Sequence, residues 1–324
     1  MYIKCLGTRG SITRAWSHED FSERLLSLIA AAEENGIENL GDFRDYCLNP
    51  SKLMPLTYGG HTACTQVGHA DALACIDMGT GLQRYGADLA SNAPKEHHIF
   101  MTHMHWDHII GLPFFKPIYT SGQKVKIHHV HKNAPKFIKI LFNGVNFPLK
   151  WDAVADQIEF CQLKLYRPVQ VGEMEFTPFA LDHPGGSFGY RVDAGGKSLA
   201  IAVDGEFQRH SPDELGADLK FYQDLDLILF DAQYEKEELA KRYDWGHSSP
   251  DKGVDLALRE GIKHLLLTHH DPEADQEKLE QMFKKASDYM KSQLPKYPKK
   301  WQDHQNTPVV SMAYDGLVVN LEES

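Results

Sequence analysis

The chain has 324 residues, 42% of them apolar, and 45 acidic against 34 basic side chains give it a formal net charge of −11. That length holds one large α/β domain or two small ones, and so acidic a surface disfavours a long nucleic acid as partner. Five cysteines (Cys5, Cys47, Cys64, Cys75, Cys161) form no C-x-x-C pair, which points to thiols in a reducing compartment; with no basic-then-apolar leader and no apolar run near ~20 residues, the expectation is a cytoplasmic protein that does not contact membrane.

In chain order, residues 2–6 (YIKCL) read as an opening strand that ends in the loop GTRGS at 7–11. Residues 17–47 read as helical, with Ser17 as N-cap, Asp20 three residues on, and Phe21, Leu25, Leu26 and Ile29 at helical spacing. This segment, about 15–52, ends near Asn49-Pro50 and reads as an insertion that packs over the body without chemistry of its own. Strand signals return at 57–67, 72–79, 97–103, 124–130, 161–166, 175–181, 189–194 and 198–204. DLILFD (226–231) and HLLLT (264–268) are short, fully apolar strands, and a last strand covers about 308–320. Helices are expected at 107–115, 134–142, 234–243, 250–260 and 273–293. Strands dominate both halves with helices between them, and there is no repeat or linker, so the chain reads as α/β: a single domain, 1–324, built as a four-layer αββα sandwich.

The segment THMHWDHIIGLPFF (102–115) concentrates the chemistry. His103 leaves a strand end, His105 is two residues on, and Asp107 with His108 opens a helix. One strand-to-helix loop thus presents three imidazoles, which suit Zn and other first-row metals, and a carboxylate that adds charge. Three more ligand-type residues close apolar strands: His183 after EFTPFAL, Asp204 after SLAIAV and His269 after HLLLT.

H-x-H-x-D-H followed by His, Asp and His resembles the metallo-β-lactamase-fold hydrolases, over about residues 2–14 and 55–320, with the helical segment as an addition. The resemblance implies the αββα metallo-β-lactamase sandwich and two divalent metal ions, Zn first, with Mn or Fe as alternatives. By it, His103, His105 and His183 hold one ion, Asp107, His108 and His269 the second, and Asp204 bridges them. Asp107 counts in the catalytic set as well. The family pattern L-x-L-T-H places the last ligand directly after Thr268, hence His269 rather than His270. An acidic residue stands at the position of His105 in the diiron flavoprotein branch, which is disfavoured.

DAQY (231–234), WGHS (245–248) and LLLTHHDP (265–272) resemble the phosphodiesterase branch, which includes the tRNA 3′-processing nucleases and smaller cyclic-phosphate phosphodiesterases. Carried over, Asp231 and His247 serve the scissile phosphate, although the family usually has Glu at the first position. The implied chemistry is a hydroxide bridging two metals, attacking in line, with a carboxylate-held His protonating the leaving alkoxide. GTRGS and YGGHTAC (58–64) resemble rim loops, the second with His61 where Asn is usual; Thr8, His61, Thr62, Gly186 and Ser187 are the candidate substrate contacts. The tRNA nucleases insert a basic arm between the third metal His and the bridging Asp. Here only 21 positions separate His183 from Asp204, with no room for an arm. The expected substrate is therefore a small phosphodiester, a cyclic nucleotide first. Alternatives are an RNase Z-like endonuclease, a lactone, thioester or β-lactam hydrolase, and a metal-loaded cyclic-nucleotide-binding protein without turnover. A homodimer is a further expectation carried by the family alone.

Overall fold

The computed structural model describes residues 1–48, 57–89, 95–209, 211–297, 301 and 307–322. Fourteen strands are described: β1 Tyr2–Gly7, β2 Cys64–His69, β3 Ala72–Ile76, β4 Glu96–Met101, β5 Lys124–His129, β6 Ile158–Gln162, β7 Val169–Val171, β8 Met174–Leu181, β9 Ser187–Ala194, β10 Lys197–Ala202, β11 Leu227–Asp231, β12 His264–Thr268, β13 Val309–Met312 and β14 Val318–Asn320. They form two seven-stranded mixed sheets, ordered β14-β1-β2-β3-β4-β5-β6 and β13-β12-β11-β10-β9-β8-β7. In each sheet the first strands pair antiparallel and the later ones parallel.

The alternation of side chains along a strand sorts the core into layers. Leu227 and Leu229 of β11 and Leu266 of β12 face inward and pack with Ile3, Ile76 and Phe100 of the other sheet. Ile228, Phe230, Leu265 and Leu267 point the opposite way, onto Val254, Leu258, Leu279 and Met282 of the helices Pro250–Glu260 and Gln276–Gln293. On the far side, Ile99 and Ile127 meet Leu112, Ile118 and Ile138. Helices therefore cover both outer faces, which is the expected αββα sandwich. No helix among the described residues is long and apolar enough to cross a membrane.

Several element boundaries differ from the sequence expectation. The helical insertion is two helices, His18–Glu34 and Leu40–Leu48, broken where Gly36 takes φ 72°. Ser17 and Asp20 form the expected capping box. Phe21, Leu25, Leu26 and Ile29 remain largely exposed, while Leu28 and Ala32 make the buried contact; the end expected near Asn49-Pro50 lies outside the described residues. The helix expected over 107–115 is one turn, Trp106–Ile109, because Gly111 donates its N–H to Met78 and Pro113 follows. Only Lys236–Leu239 is helical within 234–243. The stretch 161–166 is mostly loop, since the strand there is β6 and the next is the short β7. The final segment is two strands, and they join different sheets.

Phe100 stacks on Phe176 across the two sheets, ring centroids 4.2 Å apart, and both are fully buried. Phe100→Ala is expected to lower stability by about 3–5 kcal/mol, read as a lower denaturant midpoint with an unchanged slope.

Candidate metal centre

The carboxyl ends of β8, β10, β11 and β12 lie at one edge of their sheet, since these strands run parallel to one another. The ends of parallel β3 and β4 supply the facing side. Open sheets collect ligands at such edges. Asp77, Asp204 and His269 each follow a strand end and each takes a left-handed backbone, φ 64°, 60° and 63°. That conformation is costly for a side-chain-bearing residue and is typical of functional turns. It swings the chain away at the sheet edge while the side chain stays in the cleft.

Ligand atoms of His103, His105, His183 and Asp204 lie within 4.8 Å of one another, and those of Asp107, His108 and His269 form a second such group. Asp204 lies between them: Oδ1 is 3.8 Å from His103 Nε2 and 3.3 Å from His269 Nε2, and Oδ2 is 3.0 Å from His108 Nε2. His183 Nε2 is 3.3 Å from His105 Nδ1. A third group joins Asp204 and His269 to Asp231 and His247.

Four of these atoms converge with no hydrogen bond. Nε2 of His103, His108 and His269 and Oδ2 of Asp204 are buried and have no hydrogen-bond partner, a costly state for polar atoms unless something else fills it. Burial and neighbouring imidazoles push His103, His105 and His183 below the usual histidine range, so their lone pairs stay available. Burial acts the same way on His108, but Asp107, Asp204 and Asp77 outweigh it and raise that group well above normal. Burial would raise Asp107, yet His108 brings it down to about 2. A buried pocket of lone pairs with three carboxylates around one imidazole fits divalent cations.

A layer of buried contacts fixes the donors. Asp77 Oδ2 takes the Nδ1 side of His108 at 2.8 Å, and its two oxygens accept from Thr102 N and Oγ1. Gly246 O accepts from His183 Nδ1 at 3.0 Å. Gly246 itself has φ 90°, and a Cβ there would sit 2.0 Å from that same Nδ1, so only glycine fits. Ser11 N donates to Asp107 Oδ2 at 2.9 Å, and Gln233 Nε2 donates to Ser11 Oγ. Asp231, fully buried, accepts from Gln233 N and Ser248 N on Oδ1 and from Asp204 N and His247 Nδ1 on Oδ2, the last at 3.0 Å. Burial lowers His247, but Asp231 outweighs it and holds the imidazole up at about 9.

A family model described as beta-lactamase superfamily domain matches residues 74–270, more than half of the chain. The chain belongs to the beta-lactamase superfamily. Ribonuclease Z of Gemmatimonas aurantiaca is 24% identical over 249 residues, covering 60% of this chain and 75% of that protein. Among solved structures, the short form of human tRNase Z superposes with a TM-score of 0.58 at 18% identity, covering 99% of each chain. Unliganded yeast PDE1 gives 0.56 at 14%, covering 98% of each. At these identities the solved structures share the fold. The chain is a hydrolase of this superfamily, similar in sequence to ribonuclease Z.

For this superfamily member, the structure brings together all seven expected ligands and sets the pair Asp231 and His247 beside them. His270, weighed against His269, points away: it is fully buried, and its Nε2 meets Ala313 O at 2.8 Å. The rim candidates are another matter. The Thr8 hydroxyl donates to Tyr58 O, and Thr62 Oγ1 accepts from Thr80 N, so both hydroxyls are engaged within the rim loops. His61 Nδ1 lies 3.2 Å from Thr80 Oγ1. Gly186 O meets His131 Nε2 at 2.8 Å, and Ser187 is buried with an unpartnered Oγ. Sequence reasoning missed Asp77, Gln233 and Arg9. Buried Arg9 donates Nε to Gly59 O and Nη1 to the carbonyls of Asp271 and Ala274, tying three loops together. For Asp77, the signal available was an acid closing an apolar strand, ACID, as Asp204 and Asp231 do.

Removing an outer support of a metal ligand costs ~10–100-fold in metal affinity. Asp77→Ala is expected to weaken one cation by that factor in a chelator competition, with less effect on the other. Asp204→Ala, which removes the shared oxygen donors, is expected to lose both by elemental analysis.

Proposed function

We propose that this chain is a metal-dependent phosphodiesterase acting on small phosphodiesters, 3′,5′-cyclic nucleotides first, in the cytoplasm. The observation that carries this is the buried His247–Asp231 pair beside the seven-donor cluster. His103, His105 and His183 would hold one divalent ion, Asp107, His108 and His269 a second, and Asp204 both, Zn first with Mn or Fe as alternatives. Such ions, when bound, acidify water and neutralise phosphate oxygens.

The chain's own residues do the rest. His247 is oriented through Nδ1 by Asp231, which leaves Nε2 to face the substrate. Held by the Asp231 carboxylate, the imidazole is placed as an acid able to protonate a leaving alkoxide. The names ribonuclease Z and PDE1 among relatives and structural neighbours support phosphodiester chemistry. Five free cysteines support a reducing compartment.

A second reading, an RNase Z-like endonuclease, is favoured by the similarity to ribonuclease Z. Against it, the chain between His183 and Asp204 is fully used by β9, β10 and the tight turn at Gly195-Gly196. The experiment is hydrolysis by the Zn- or Mn-loaded protein of 3′,5′- and 2′,3′-cyclic nucleotides, bis-p-nitrophenyl phosphate, a pre-tRNA and a chromogenic lactam. Turnover of the small diesters alone is expected. Pre-tRNA cleavage would replace this reading with the second, and lactam cleavage alone would remove both.

His247→Ala is expected to keep its metal content and lose ~10²–10⁴-fold in turnover. Unchanged turnover would exclude His247 from the mechanism. Asp231→Ala should lose turnover as well and also weaken metal binding, because Asp231 holds the Asp204 backbone.

A further inference from the structure

A cavity of about 270 Å³ adjoins the candidate centre, and His247 is one of its walls. Its other lining includes Glu206, Gln208, Arg242, Tyr243 and Lys252. We infer that this cavity receives the nucleobase of the substrate and that Arg242 and Tyr243 set the specificity for it. The inference rests on the phosphodiesterase reading of the adjoining centre.

Direction comes from chemistry. If His247 protonates the leaving oxygen, the group attached to that oxygen must extend past the His247 ring. His247 is the residue that the centre and this cavity share. In a cyclic nucleotide the leaving oxygen belongs to the sugar that carries the base, so the base follows it there. The size suits a single base: small-molecule sites begin near ~300 Å³, and this cavity leaves no room for a second nucleotide.

The lining has the character a flat, polar heterocycle requires. The Arg242 guanidinium lies 4.3 Å from the centroid of the Tyr234 ring and 5.8 Å from that of Trp245. Tyr234 in turn packs edge-on against His247, centroids 5.8 Å apart. The guanidinium is thus oriented by aromatic faces, and its nearest carboxylate, Glu238, is 3.9 Å away. A planar cation held this way offers a stacking face and a row of N–H donors. Tyr243 presents an aromatic ring at the same cavity and is 69% exposed. Lys252 donates to Glu206 O, and Gln208 bonds the Glu206 side chain, so the polar floor is fixed before any ligand arrives.

The test compares three substrates on the Mn-loaded protein: 3′,5′-cyclic AMP, the abasic 3′,5′-cyclic ribose phosphate, and bis-p-nitrophenyl phosphate. The wild type is expected to show a KM for cyclic AMP ten- to a hundredfold below that for the abasic ring, on the order of one stacked base. Arg242→Ala and Tyr243→Ala should each raise KM for cyclic AMP toward the abasic value. Both should leave kcat, and both constants for the abasic ring, unchanged. Equal KM for the two rings in the wild type would overturn the inference, as would variants that impair both rings alike. Turnover of bis-p-nitrophenyl phosphate alone would also overturn it and leave the phosphodiesterase reading standing. No turnover of any of the three would remove the reading and the inference together.

Discussion

The carboxylate of Asp231 is the point on which the cleft depends. It is fully buried, and a buried carboxylate persists only when its lone pairs are filled. Four donors fill them: the backbone of Asp204, Gln233 and Ser248, and the ring of His247. Two of those donors belong to the chemistry. Asp204 is pinned in its left-handed turn and His247 is turned toward the same space, so one acid sets the spacing between the carboxylate at the centre of the cluster and the imidazole beside it. The family's usual Glu is longer by a methylene. Here the 247–248 backbone comes close enough that Ser248 N reaches Oδ1 at 3.0 Å, and the shorter side chain suffices.

Around that point, the two rim loops and the loop after β12 act as one piece. Arg9 bonds carbonyls at Gly59, Asp271 and Ala274, while Gly10 N and His270 N exchange bonds across the loops with His270 O and Thr8 O. Asp315 accepts from Thr8, Gly60 and His61 backbone N–H groups. A Cβ on Gly10 would come within 2.6 Å of the His269 ring, so the loop presses directly on a metal donor. In the first rim loop, Ser11 N bonds Asp107 and Gly10 packs on His269, while Thr8, His61 and Thr62 bond within the loops. Their hydroxyls are small and polar for the sake of the loop packing, and a sequence pattern cannot separate that use from ligand contact.

The donors themselves were legible because metal chemistry narrows residue type and position together. Few folds need three imidazoles and a carboxylate in six residues after a strand, and His183, Asp204 and His269 all close apolar strands that run parallel to a common edge. The sheets were legible for a related reason: apolar runs such as LILF and HLLL are buried on both faces, and Leu227 and Ile228 do serve opposite layers. The supports were not legible. Asp77 looks like any acid at a turn, and only the structure shows it under His108. The helical insertion was misjudged in its facing, since Phe21, Leu25 and Ile29 repeat at helical spacing yet Leu28 and Ala32 make the contact. Periodicity states that a face exists; it does not state which surface receives it.

The proposed preference for a small substrate rests on how the chain spends its length around the cleft. From β8 to β10 the strands pair continuously, Leu181 with Ser187 and Lys197 with Ala194, so both connections are short turns at the sheet edge. The first connection carries His183 and Gly186, and the second is the Gly195-Gly196 turn, so neither is the site of a binding arm. A net charge of −11 gives no general attraction for a polyanion beyond the cleft. On the phosphodiesterase reading, affinity for a small phosphodiester comes from the centre and its immediate walls, among them His247 and Lys252. A ligand that fits between those walls meets both groups at once.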